Sequence, residues 1–169
     1  MAKALCPAID SPALHLSPAM RFSNNKISLS VRLLGYAGLI PFVTLAALSF
    51  LVSSAHRPAV TFSLLAYGVT IVSFLGAIHW GLTMVENIPN TQQLIWGVVP
   101  SLLAWVSLML PVEFGLLLVA AVLLFCLVVD YKIYPHFGLH RWLAMRLVLT
   151  IVASVSSVLP ALLGLGLLS

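Results

Sequence analysis

Val60–Val85 reads VTFSLLAYGVTIVSFLGAIHWGLTMV, 26 residues without one Asp, Glu, Lys or Arg. A helix rises about 1.5 Å per residue and the hydrocarbon core of a bilayer is about 30 Å thick, so a run of this length crosses it with some tilt. Within the run stands His79, an ionisable side chain. At membrane depth such a group is costly, turns toward protein rather than lipid, and marks a candidate functional site. Steps of 100° per residue place Gly68, Val72, Gly76, His79, Thr83 and Glu86 on one side of the helix. His79 is therefore expected on a glycine-lined face, pointed at a neighbouring helix, with Gly81 two residues beyond it.

The rest of the chain has the same character. Charged residues make up only 7% of the 169, where a soluble domain carries about a quarter. Five segments qualify, or nearly so, as spanning helices: Leu33–Val52, Val60–Val85, Leu94–Leu110, Phe114–Tyr131 and Leu147–Leu168. The third is the shortest. The expected fold is thus an all-α five-helix transmembrane bundle over residues 31–169, preceded by a flexible cytoplasmic tail over 1–30.

Basic residues set the orientation. Lys3, Arg21, Lys26 and Arg32 precede the first helix, and Lys132, Arg141 and Arg146 lie in or beside the link between the fourth and fifth. Only Arg57 falls on the other side. Because basic loops are retained inside, the N-terminus is expected in the cytoplasm and the C-terminus outside. The net charge of +4 then reports topology and contact with anionic lipid rather than nucleic acid, since the charges are dispersed and form no stripe. The tail lacks the continuous apolar core of a secretory signal, and Pro7, Pro12 and Pro18 spoil an amphipathic presequence. Cys6 and Cys126 are too far apart in the chain to suggest a disulfide, and neither has metal-ligand spacing.

Helix packing in lipid relies on small residues that let backbones approach. The first helix offers Gly35, Gly38, Phe42, Ala46, Ser49 and Ser53; the third, Gly97, Ser101, Ala104 and Ser107; the fifth, Thr150, Ser154, Ser157, Ala161 and Gly164. These three helices are expected to meet along those faces. The leucine-rich fourth helix has no such seam and is expected at the periphery. Pro41, Pro100 and Pro160 are expected to bend their helices.

Topology brings His79, Glu86, Asp130, Arg146 and Arg32 to similar depth at the cytoplasmic end, beside Trp80, and these six form the candidate polar site. His79 reads equally as a packing histidine or as a group that handles a ligand or a proton. Asp130 and Arg146 read better as a charge pair pinning two helices than as catalytic groups. His136 and His140 have the i, i+4 spacing of metal ligands, but Pro135 and Gly138 break the helix that spacing needs, so no metal is expected. A b-type haem would need a second intramembrane histidine. No phosphate loop, nucleophile elbow or carboxylate pair is present in the sequence. No cofactor is expected, and an enzyme is disfavoured.

Leu34-Gly35-Tyr36-Ala37-Gly38-Leu39-Ile40-Pro41-Phe42, with Ala66-Tyr67-Gly68 and Ser73-Phe74-Leu75-Gly76-Ala77-Ile78-His79-Trp80-Gly81, resembles a family of small membrane proteins of unknown function. It has bacterial members and a eukaryotic mitochondrial one, transmembrane protein 69. The resemblance implies a glycine as the usual residue at position 77, and an arginine at position 79 in some relatives. It therefore implies a positive or hydrogen-bonding group at that position rather than imidazole chemistry. The family carries no established activity.

The expected role is an accessory, assembly or interaction subunit of the bacterial inner membrane, or alternatively of the mitochondrial one. Its expected partners are the lipid bilayer and a membrane-protein partner or a second copy, with no nucleic acid. The alternatives are a small-solute or proton conduit, and a binder of lipid or quinone headgroups, each using the polar site around His79.

Overall fold

The computed structural model describes residues 29–85 and 91–167. Most of the expected tail, and Glu86 of the expected polar site, lie outside the described residues; Leu29 and Ser30, the last two of that tail, open the first helix. The described chain is all-α: α1 (Leu29–Ala37), α2 (Ile40–Leu51), α3 (Arg57–Val85), α4 (Thr91–Ser107), α5 (Val112–Ile133), a 3-10 turn (Tyr134–Phe137) and α6 (His140–Gly164). Among the described residues, four helical runs are long and apolar enough to cross a membrane, where five were expected: Leu29–Leu51, Arg57–Met84, Val112–His136 and His140–Gly164. The expected third span is α4, which has only 17 residues, a length of about 26 Å. Its shortness has a local cause: Leu108–Leu110 leave the helix ahead of Pro111, whose ring disfavours helical geometry in the residue before it.

The first expected helix is divided. Pro41 has no N–H to give the carbonyl four residues back, and the helix breaks one turn earlier, at Gly38–Leu39. There the Leu39 N–H bonds the tighter i−3 carbonyl of Tyr36 at 3.0 Å. The Tyr67 hydroxyl of α3 donates to the Gly38 carbonyl at 2.8 Å, so the break is tied to its neighbour. The chain stays helical through Pro100 and Pro160, both buried.

Packing departs from the sequence expectation in two respects. The small-residue seam of α4 faces α3, and α4 packs on α3 and α5 rather than on α2 and α6. A Cβ added at Gly76 would strike the Gly97 carbonyl, so the α3 and α4 backbones approach as closely as two glycines allow. Second, α5 is central. It packs on α3, α4 and α6, and Leu116, Val119, Leu123 and Cys126 are core residues. A leucine-rich helix needs no seam of its own when the partner supplies the space. Val119 fills the place where a Cβ on Gly68 would come within 2.8 Å of its Cγ1. On α6, Ser154 and Ser157 are buried, and the Ser154 hydroxyl donates to the Ala120 carbonyl of α5 at 3.5 Å.

Candidate functional site

Three helices each bring one ionisable side chain to a single buried point. On α3, the described members of the glycine face, Gly68, Val72, Gly76, His79 and Thr83, are all buried. On α5, Asp130 lies in the last turn, on the line that also carries Cys126 and Tyr134. On α6, which starts seven residues before the expected Leu147, Arg146 lies inside the helix. His79 is 2% exposed, Asp130 2% and Arg146 8%.

Asp130 uses both carboxylate oxygens. His79 Nε2 is 2.9 Å from Oδ1, and Arg146 Nε donates to Oδ2 at 2.6 Å. A carboxylate only accepts, so His79 presents an N–H at Nε2 to Oδ1. The Trp96 and Tyr134 rings flank His79, with centroids 6.5 and 6.4 Å away. Thr83 returns its hydroxyl to the His79 carbonyl at 2.9 Å and lies 3.2 Å from Gln93 Oε1 of α4. Among the described residues, four buried side-chain polar atoms have no hydrogen-bond partner: His79 Nδ1, Trp96 Nε1, Arg146 Nη2 and Thr150 Oγ1.

The other expected residues fall elsewhere. Trp80 diverges from His79: its indole donates to the Leu94 carbonyl at 2.9 Å and its ring occupies the space a side chain on Gly97 would need. Arg32 is exposed on α1 and has no hydrogen bond or ion pair with Asp130. His136 lies in the 3-10 turn and His140 opens α6, separated by Gly138 in the left-handed conformation at φ 69°. Both are exposed. Gly35 meets the Met145 side chain, at 3.3 Å for an added Cβ, whereas around Gly81 there is open space. Gly38 is part of the helix break, and Gly164 abuts Glu113 of α5.

Trp96, Tyr134 and Gln93 complete the surroundings of the cluster and were not singled out from sequence. Tyr134 had a signal: it follows Asp130 by one helical turn. Trp96 had none, because its role depends on how α4 docks.

Arg146 also borders two adjoining apolar cavities between α1–α2, α3 and α6, of about 210 and 410 Å³. A third cavity of about 240 Å³ lies at the opposite end, where Arg57, Thr61 and Glu113 contribute to its wall.

Residues 27–162 match the model of a family described as a protein of unknown function, DUF3429. Transmembrane protein 69 of Xenopus tropicalis is 39% identical over 131 residues, covering 74% of this chain and 51% of that protein. Transmembrane protein 69 of Mus musculus is 29% identical over 133 residues, covering 75% and 53%. The chain thus spans about half the length of these curated relatives. No solved structure matches.

Proposed function

Given that the chain belongs to the DUF3429 family, a family of membrane proteins without an established activity, we propose that it is a non-catalytic accessory or interaction subunit of an inner membrane. In this reading the His79–Asp130–Arg146 cluster is a clamp and not a reaction centre. The observation that carries it is the closure of the cluster: both Asp130 oxygens are engaged, and the three side chains are almost wholly buried. A reaction centre must leave its reacting groups open to a substrate, whereas here both oxygens of the one carboxylate are taken by side chains of the same chain. The bundle end that carries Arg32, Lys132 and Arg141 faces the cytoplasm, or the matrix in a mitochondrion, in keeping with the retention of basic segments.

Purification from native membranes in mild detergent tests the role. A stoichiometric membrane-protein partner or a second copy is expected, and a partnerless monomer in repeated preparations rules it out. A proton or solute conduit through His79 makes a contrary forecast. Reconstituted wild type and His79→Ala should show equal flux if the clamp reading is right.

A further inference from the structure

Two buried polar atoms on one face of α6 lack partners, and their side chains border the same cavity. Arg146 keeps Nη2 unpaired after Nε has gone to Asp130. Thr150, one turn later and 1% exposed, has no partner for its hydroxyl. That is unusual within this very chain. Thr44, Thr61, Thr70 and Thr83 all return their hydroxyls to the carbonyl four residues back, as threonine in a helix ordinarily does. Thr150 has forgone that bond.

Both residues line the cavity of about 210 Å³, where Ile71, Leu123 and Ala153 are among their apolar neighbours. Among the described residues, Arg146 is the only charged one in either wall. The second cavity, of about 410 Å³, shares Leu34, Gly35, Phe74, Leu75, Arg146 and Leu149 with the first. Together the two reach the size of small-molecule sites, roughly 300–1,000 Å³. Leu34 and Phe74 are exposed on the outer surface, so the mouth opens toward lipid. The helix break at Gly38–Leu39 forms part of the wall.

We propose that this paired cavity binds one membrane amphiphile with a neutral carbonyl head and an apolar tail. Arg146 Nη2 and the Thr150 hydroxyl are both donors, and one carbonyl oxygen has two lone pairs to accept them. The tail then lies in the larger cavity, along Ile78, Trp142 and Met145. A neutral head fits the electrostatics. Arg146 and Asp130 already form an ion pair, Nε to Oδ2. An anionic head would add a charge that the Arg146–Asp130 pair does not balance, which is costly in hydrocarbon.

Two sources share this chemistry, a glycerolipid ester and a prenylated quinone, and calorimetric titration of the full-length protein in detergent separates them. The probes are dioleoylglycerol, a decyl-substituted benzoquinone and oleate. Saturable binding at one site per chain is expected for at least one of the first two, and the probe that saturates names the source. Thr150→Val, which keeps side-chain volume, should weaken that binding about tenfold, and Thr150→Ser should restore it. Arg146→Lys, which keeps a cation for Asp130 but loses the planar fork, should weaken it to a similar degree. Failure of both neutral probes to saturate, or wild-type affinity in a folded Thr150→Val, overturns the site. Tighter binding of oleate than of either overturns the neutral head. The interaction role stands or falls separately, on co-purification.

Discussion

Asp130 is the residue on which the buried cluster depends, because it alone bridges two helices besides its own. Replacing it by asparagine keeps the volume and removes the charge, leaving the Arg146 guanidinium buried without a counter-ion. Breaking a buried pair in this way costs about 3–5 kcal/mol, so Asp130→Asn should unfold far below wild type in a detergent or bicelle denaturation series. His79→Gln keeps a donor within reach of Oδ1 and should cost only about 1 kcal/mol. Equal losses for the two variants would mean that Asp130 does not act mainly through Arg146. The three members of the cluster were legible in the sequence for a simple reason: ionisable groups at equal membrane depth have few places to go except toward each other.

At the scale of the helix, two glycines of α3 make a controlled contrast. Gly76 packs backbone to backbone against Gly97 of α4, while a methyl on Gly81 would meet nothing within 4 Å. Gly76→Ala therefore has to push α4 away, and overpacking of this sort costs about 1–3 kcal/mol. Gly81→Ala replaces a poor helix former by the best one and should be neutral or stabilising by up to about 1 kcal/mol. Thermal melting of the two variants side by side checks both signs, and a loss at Gly81 as large as at Gly76 would contradict the packing. The same pair shows where sequence reading ran out. Helical phase told that Gly68, Gly76 and His79 share a face, but not which neighbour that face meets. The seam rule pointed α4 at α2 and α6, whereas α4 follows α3 directly and packs back on it. The rule also sent α5 to the lipid, although its Val119 fills the space that Gly68 of α3 leaves open. A seam identifies where a helix can be approached; which helix arrives is decided by connection length and by the bulk of its neighbours.

For the whole molecule, the directions of the helices give a test of orientation that does not depend on how many of them count as full spans. The start of α1, the ends of α3 and α5 and the start of α6 gather at one end of the bundle, as the Gly35–Met145 approach and the His79–Asp130–Arg146 cluster require. Arg141 belongs to that end. The other end holds Arg57, whose Nε caps the close of α2 by donating to the Ser49 carbonyl at 3.1 Å. That bond and the wall of the cavity beside Glu113 hold the one basic side chain on the sparsely charged side in place. If basic residues govern insertion, the Arg57 end lies outside. In a Cys6→Ser background, Ser54→Cys should react with a membrane-impermeant maleimide added to intact spheroplasts, and His140→Cys only after the vesicles are inverted. Both positions are exposed, so accessibility in the fold does not confound the readout, and Cys126 is buried and should stay silent in both. The reverse labelling pattern would turn the bundle over and move the mouth of the amphiphile cavity from the cytoplasmic half of the membrane to the outer one.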